Sequence, residues 1–217
     1  MGEYADARRQ MVDNQIRTTD VTAYNVLEAF EVVPRELFVP AHLRNLAYSD
    51  VDIVISDSRC MMQPSPLAKL LQLADIKSED LVLVIGAQAG YTAALASKMA
   101  NTVVAVESDE ALVEQAQDTL TGLGFDNVAM ISGDIAKGYV SEGPYDVIVI
   151  EGAVEQLPDD LLNQMKDGGV LVTVDGKERR AEAIKILRNG ESFSRIPAFD
   201  TNAPILTEFS KPVGFSF

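Results

Sequence analysis

The sequence predicts an α/β protein, with a mostly parallel sheet of alternating strands and helices behind a helical N-terminal region. Three observations carry this. The run Leu81-Val82-Leu83-Val84-Ile85 is wholly apolar and is stopped at once by Gly86, which suits a strand covered on both faces. The stretch Tyr91–Ala100 is rich in Ala and other helix formers and holds no Pro or Gly. Further apolar runs then recur with helix-forming segments between them, the pattern of strands joined by right-handed crossovers.

From the N-terminus, Tyr4 to about Ile16 has helical spacing, with Met11, Val12 and Ile16 on one side. Thr19 or Asp20 is placed to cap a second helix bearing Val21, Tyr24, Leu27 and Phe30, which stops before Pro34. Pro34–Pro40 links to a short helix over His42–Tyr48. Val51–Ile55 is extended and enters the loop Ser56–Pro66, which leads to a helix over Leu67–Ala74.

Strands are expected at Leu81–Ile85, Val103–Val106, Val128–Ser132, Val147–Ile150 and Val170–Val174. Helices fall between them near Tyr91–Ala100, Asp109–Leu120 and Asp159–Lys166. Gly122 and Gly124 end the second of these helices, and Gly168-Gly169 the third. Lys177–Leu187 reads as a further helix. Lys177, Arg179, Arg180, Lys185, Arg188 and Arg195 then read as the solvated face of one helix. Arg195–Phe217 is mixed, with Val213–Phe217 a candidate edge strand. Without a linker or repeat, one domain is expected over 1–217, with helix and loop in 1–80 and the sheet in 81–217.

Composition narrows the function. A net charge of −15 argues against nucleic acid as the main partner. Cys60 is the only cysteine and His42 the only histidine, so a disulfide, a zinc site or a Ser-His-Asp hydrolase is not expected, and no metal is called. No apolar run approaches a membrane span and the first residues do not read as a signal peptide, which gives an expectation of a cytoplasmic protein without membrane contact.

Strand, Gly turn and helix over residues 81–100 place a ligand beyond the strand's carboxyl end, near the helix N-terminus. Glu107 ends the next strand, about 20 residues after the turn, where an acid accepts both hydroxyls of a ribose. Its plainer reading is a surface Glu that begins the helix at Asp109. A nicotinamide-dependent oxidoreductase is disfavoured, because Gly86-Ala-Gln-Ala-Gly90 lacks the spacing of the dinucleotide fingerprint.

Longer motifs add to this. Met11-Val12 with Gln15-Ile16, Val26-Leu27, and above all Val33-Pro34-Arg35-Glu36-Leu37-Phe38-Val39-Pro40 precede the sheet. Ala47-Tyr48-Ser49-Asp50, Gln63-Pro64, Ile85-Gly86, Gly90-Tyr91, Val106-Glu107, Gly133-Asp134, Pro144-Tyr145-Asp146 and Leu157-Pro158 continue the series. Together they resemble the protein-L-isoaspartate O-methyltransferases, over residues 1 to about 176. The resemblance implies a Rossmann-like fold that binds S-adenosylmethionine. It also implies methyl transfer to the α-carboxylate of an isoaspartyl residue in a damaged protein, a repair step. By position, Gly86 and Gly90 would shape the turn near the cofactor's methionine portion, Glu107 would hold the ribose, and Asp134 would lie beside the adenine. The Gln63-Pro64 loop would lie over the reacting groups. A carboxylate is already ionised at pH 7, so such an enzyme works mainly by holding donor and acceptor in line.

The chain departs from that pattern where the work is done. Val84 replaces an acid, and Gln88 replaces the middle Gly of the turn, where it either contacts the cofactor or narrows the pocket. The family's usual Gln-Thr-Ile-Ser-Gln-Pro is here Arg59-Cys60-Met61-Met62-Gln63-Pro64, so Met62 takes a hydroxyl position and Cys60 reads as a small buried hydrophobe. Glu151 adds an acid that would repel an anionic substrate unless paired or turned away, and Asp175 replaces an apolar residue. Arg59 is either a partner for the substrate carboxylate or an exposed loop residue. The candidate site is therefore Arg59, Met62, Gln63 and Pro64 for substrate, with Gly86, Gln88, Gly90, Glu107 and Asp134 for cofactor. Two functions remain: a repair-type methyltransferase, or a methyltransferase-like binding or regulatory module.

Overall fold

The computed structural model describes residues 2–176 and 181–211. Helix α1 (Gly2–Met11) runs on through a π-helical turn, Val12–Ile16, and a 3-10 turn, Arg17–Thr19. Helix α2 spans Tyr24–Val32, and the following Val33 is extended, as a residue before proline prefers. Neither Thr19 nor Asp20 caps it. Gln72, fifty residues on, instead accepts the Thr22 and Ala23 N–H groups on Oε1 at 2.7 and 2.9 Å, and its Nε2 donates to the Asp20 carbonyl at 3.0 Å. The expected short helix is a 3-10 helix, Ala41–Leu46.

What reads as a loop is largely ordered. Strands β1 (Ile53–Ser56) and β2 (Arg59–Met61) pair as an antiparallel hairpin. Helix α3 (Pro64–Ala74) starts at Pro64 rather than Leu67, since a proline in the first turn forfeits only an N–H that has no intrahelical partner.

The sheet follows. Its elements are β3 (Leu81–Ile85), α4 (Tyr91–Ser97), β4 (Thr102–Glu107), α5 (Glu110–Gly122), β5 (Val128–Ser132), β6 (Tyr145–Val154), α6 (Asp159–Leu162), β7 (Met165–Asp175), β8 (Glu182–Asn189) and β9 (Ser192–Asp200). They form one seven-stranded sheet in the order β5-β4-β3-β6-β7-β8-β9. The first five are parallel, and β8 and β9 are antiparallel. The order reverses between β3 and β6, so a ligand crevice is expected beyond their carboxyl ends.

Several expectations are corrected. The helix read over Lys177–Leu187 is strand β8 from Glu182, and residues 177–180 lie outside the described residues. Lys185, Arg188 and Arg195 therefore do not share a helix face; Arg195 stands opposite Ile186 across the β8–β9 pair, while Lys177, Arg179 and Arg180 lie outside the description. Gly190-Glu191, with Gly190 at φ +59°, makes the two-residue hairpin turn between Asn189 and Ser192. Gly168-Gly169 falls inside β7 and ends no helix, because α6 is a single turn that stops at Leu162. Val213–Phe217 lies outside the described residues.

Along β3 the side chains alternate between two apolar clusters. Val82 and Val84 join Phe30, Leu67 and Leu71 of the helical region, whereas Leu83 and Ile85 join Ile148, Ile150, Leu171, Leu206 and Phe209. Against β7, the step from Val149 to Ala153 on β6 spans only Val172 to Val174. Past Ile150, where pairing with β3 ends, Ala153 keeps Val174 as a partner and also forms a parallel bridge with Ile205, from the segment after β9.

Candidate active site

The turn after β3 has three residues of positive φ: Gly86 at +68°, Gln88 at +51° and Gly90 at +90°. The N–H groups of Gly86 and Ala87 both reach the Val106 carbonyl, at 3.0 and 3.2 Å, which folds the turn against the end of β4. Gln88 donates its backbone N–H to Glu107 Oε2 at 2.9 Å and its side-chain Nε2 to the Cys60 carbonyl at 3.0 Å, while its Oε1 is buried without a partner among the described residues. The left-handed conformation disfavours a residue with a Cβ by about 1–2 kcal/mol. Gln88 thus spends its side chain on joining the turn to β2.

Glu107 is not a surface residue; it is fully buried at the tip of β4. Oε1 accepts the N–H groups of Ser108 and Asp109 at 2.8 and 3.1 Å. Arg59 lies over both oxygens, with Nε at 2.9 and 3.0 Å. Its Nη2 also donates to Ser108 Oγ and to Glu208 Oε1, each at 2.7 Å. Burial works against the Arg59 charge, but hydrogen bonds to the two carboxylates outweigh it and raise its pKa. Glu208 would be raised by burial too, yet its hydrogen bond from Arg59 turns the net shift downward. Arg59 is therefore engaged within the chain, and pairing a substrate carboxylate would require it to leave these partners.

Asp134 sits exposed beyond β5, where its Oδ1 accepts the Ala136 N–H at 3.0 Å and its carboxylate pairs with Lys137 at 3.1 Å. The Gly133 N–H bonds the Glu107 carbonyl at 3.0 Å, which brings that strand end beside the acid. In the loop, Met62 is 1% exposed and packs in the first apolar cluster, so the hydroxyl position has become core. The Gln63 N–H donates to Asp52 Oδ1 at 3.0 Å, and Pro64 is buried in the first turn of α3. The Cys60 thiol is pushed up to about 11 by burial, with the charges of Asp52 and Glu151 adding to it.

Two groups were missed as site components in the sequence. Arg35 is wholly buried; its Nε donates to the Ala47 carbonyl at 2.8 Å, its Nη2 to the Met62 carbonyl at 2.7 Å, and its guanidinium lies 4.8 Å from the Tyr91 ring centre. It fixes the backbone of the substrate loop. Nothing in composition or spacing marks an arginine as buried.

The second is Pro204–Phe209. Ala153 donates to the Pro204 carbonyl at 2.8 Å, Leu206 donates back to Ala153 at 3.0 Å, and Gln156 donates to the Phe209 carbonyl at 3.0 Å. A Cβ on Gly86 would stand 3.1 Å from Leu206 Cδ1, and one on Gly152 would stand 2.8 Å from Leu206 Cγ. A groove of about 270 Å³ runs between this segment and the β1–β2 hairpin, lined by Val54, Arg59, Cys60, Pro204 and Leu206 among others.

Glu151, on β6, is 1% exposed, and neither carboxylate oxygen has a hydrogen-bond partner among the described residues. Burial pushes it up to about 8, and Glu107 adds to the shift; Thr92, Arg35 and the Met62 backbone offset this only in part. It is therefore mainly protonated at neutral pH.

A profile of the family "Protein-L-isoaspartate(D-aspartate) O-methyltransferase" matches residues 6–197. A protein-L-isoaspartate O-methyltransferase of Methanoculleus marisnigri is 34% identical over 88% of this chain and 86% of its own. Protein-L-isoaspartate O-methyltransferase 2 of Shewanella sediminis is 39% identical over 78% of this chain and 70% of its own. Among solved structures, a protein-L-isoaspartate O-methyltransferase superposes with a TM-score of 0.79 at 26% identity, over 91% of this chain and 65% of that one. A Plasmodium falciparum structure described as a complex with S-adenosyl-L-homocysteine gives a TM-score of 0.76 at 18% identity, over 94% of this chain and 98% of that one, a likeness of fold. Among the described residues no helix is long and apolar enough to cross a membrane.

Proposed function

The chain belongs to the protein-L-isoaspartate (D-aspartate) O-methyltransferase family, and from that premise we propose that it is an S-adenosylmethionine-dependent methyltransferase acting on isoaspartyl residues of damaged proteins. The observation that carries this reading is the join between β3 and β4. A turn of positive-φ residues meets a buried carboxylate on the adjacent parallel strand, through the Gln88 N–H on Glu107 at 2.9 Å.

These residues suit a nucleoside cofactor in kind. Gly86 and Gly90 would let the backbone approach its methionine portion, Gln88 would border it, Glu107 would take the ribose hydroxyls, and Asp134 would stand by the adenine. The cofactor supplies a methyl group on a sulfonium, which leaves without acid assistance. Arg35, through the Met62 carbonyl, holds the segment Arg59–Pro64, so that Gln63 and Pro64 can close over the reacting groups. An isoaspartyl carboxylate is ionised well below pH 7 and needs no base. Protonated Glu151 removes the repulsion that a second anion beside it would exert. The charge of −15 supports a peptide or protein partner over nucleic acid, and we place the activity in the cytoplasm.

The test is methyl transfer from labelled S-adenosylmethionine to an isoaspartyl peptide, with the aspartyl peptide as control. Label on the isoaspartyl peptide alone supports the reading. A second reading, a binding module without turnover, draws on Arg59 covering Glu107; it is favoured if S-adenosylhomocysteine binds while no peptide is methylated.

A further inference from the structure

We propose that Arg59 and the segment Pro204–Phe209 form an internal latch on the cofactor cleft, so that the cofactor enters only when Arg59 leaves Glu107 and the segment lifts from Gly86. The proposal rests on the methyltransferase reading of that cleft.

The first observation is the saturation of Glu107. A carboxylate offers about four acceptor positions. Three backbone N–H groups, from Gln88, Ser108 and Asp109, take three of them, and Arg59, bridging both oxygens, fills what remains. The backbone donors are fixed by the turn and the strand end. The side-chain donors to Glu107 are Arg59, over both oxygens at 2.9 and 3.0 Å, and the neighbouring Ser108 hydroxyl, at 3.4 Å from Oε1. Arg59 makes the shorter bonds and comes from a separate element, so it is the group that ribose hydroxyls would have to replace.

The second observation is the position of Leu206. Gly86 is the residue whose missing side chain allows close approach to the turn, and Leu206 fills that space, 3.1 Å from where a Cβ would stand. The third is the tie between these two obstructions. Glu208 lies two residues beyond Leu206 and pairs with Arg59, so the β1–β2 hairpin and the C-terminal segment shut together across the crevice. Glu208 remains 27% exposed at its side chain, whereas Arg59 and Glu107 are 1% and 0% exposed. Water can therefore reach and replace the outer half of the latch. The inner half opens only after it.

A closed state lowers apparent affinity by the fraction of molecules that are open. Full-length protein is titrated with S-adenosylhomocysteine by calorimetry, as the native sequence, as Glu208→Gln and as Leu206→Ala. Melting curves verify that each variant is folded. Release of the latch should tighten binding by about tenfold in Glu208→Gln, with a change of the same sign in Leu206→Ala. Hydrogen exchange gives an independent readout in the native protein. The Leu206 and Gln156 amides, which carry the segment's backbone bonds, should exchange faster when the ligand is bound. Equal affinities with unchanged exchange would overturn the latch and leave the methyltransferase reading standing. Weaker binding in Glu208→Gln would overturn it as well. Absence of binding in all three proteins would instead overturn the cofactor reading of the cleft, and the latch with it.

Discussion

Arg59 and Glu107 meet as a buried ion pair, with Nη2 2.8 Å from Oε1 and almost no exposure of either side chain. One comes from a short hairpin and the other from the tip of a central strand, so the pair joins the helical half of the molecule to the sheet. A buried pair contributes little relative to a well-packed apolar replacement, but losing one member leaves an uncompensated charge.

Glu107→Gln should therefore destabilise the protein by about 3 kcal/mol, as expected for a broken buried pair. Adding Arg59→Met should restore part of that loss, since neither charge of the pair is then stranded and Glu208, 27% exposed at its side chain, can be solvated when it loses Arg59. Urea denaturation of the two single variants and the double variant measures the coupling. Additive losses would show that the two side chains do not depend on one another.

Glu151 gives a pH signature. Its folded value, about 8, lies above the ordinary 4.5, so the folded state holds a proton that the unfolded chain releases. Stability from this group is complete below about pH 4.5, falls as pH rises to about 8, and then levels off; the full difference is on the order of 5 kcal/mol. Glu151→Gln removes the titration. The variant should match the native protein near pH 4.5 and exceed it in melting temperature at pH 8.5. Parallel pH profiles would place the Glu151 proton elsewhere.

Gln88→Gly sets two effects of opposite sign against each other. Removing the side chain relieves a left-handed residue, worth about 1–2 kcal/mol, and loses the bond to the Cys60 carbonyl, worth about 1 kcal/mol. Unfolding stability should change by less than about 1 kcal/mol on that balance. A loss of several kcal/mol in chemical denaturation would mean that the Gln88–Cys60 link holds the hairpin in place.

Arg35→Lys should cost about 2–4 kcal/mol, because an ammonium cannot meet the Ala47 and Met62 carbonyls together while lying on Tyr91. The substrate loop should loosen with it. Hydrogen exchange at the Gln63 amide, bonded to Asp52, reports on that directly. Native-like stability with unchanged Gln63 exchange would remove Arg35 from its positioning role.

The sheet's first strands were legible because a strand buried on both faces has to be an unbroken apolar run, as Leu81–Ile85 and Val103–Val106 are. Strand β8 was not. Ala183-Ile184-Lys185-Ile186-Leu187 satisfies a helical period as well as a strand's, and only the open edge of β7 decides between them. Gly190, the first residue of the two-residue turn, held the missing signal. In the site, Glu107 and its turn could be read from spacing along adjacent elements. The partner of Arg59 could not, since Glu208 is 149 residues away and the contact exists only once the segment after β9 has crossed the crevice. Burial of Met62, Arg35 and Glu151 is likewise a property of the packed molecule, and no local pattern encodes it.

The Gln72 contacts bear on the order of assembly. Helix α2 has nine residues, fewer than the roughly 12–15 at which an isolated helix becomes even marginally stable in water. Its entry is held by a side chain from α3, and its own flank supplies no cap. Helix α2 is thus poorly equipped to nucleate structure by itself. It gains its shape when α3 docks, so this part of the chain waits for a later one, and a peptide of residues 20–50 alone should be mostly unstructured by circular dichroism.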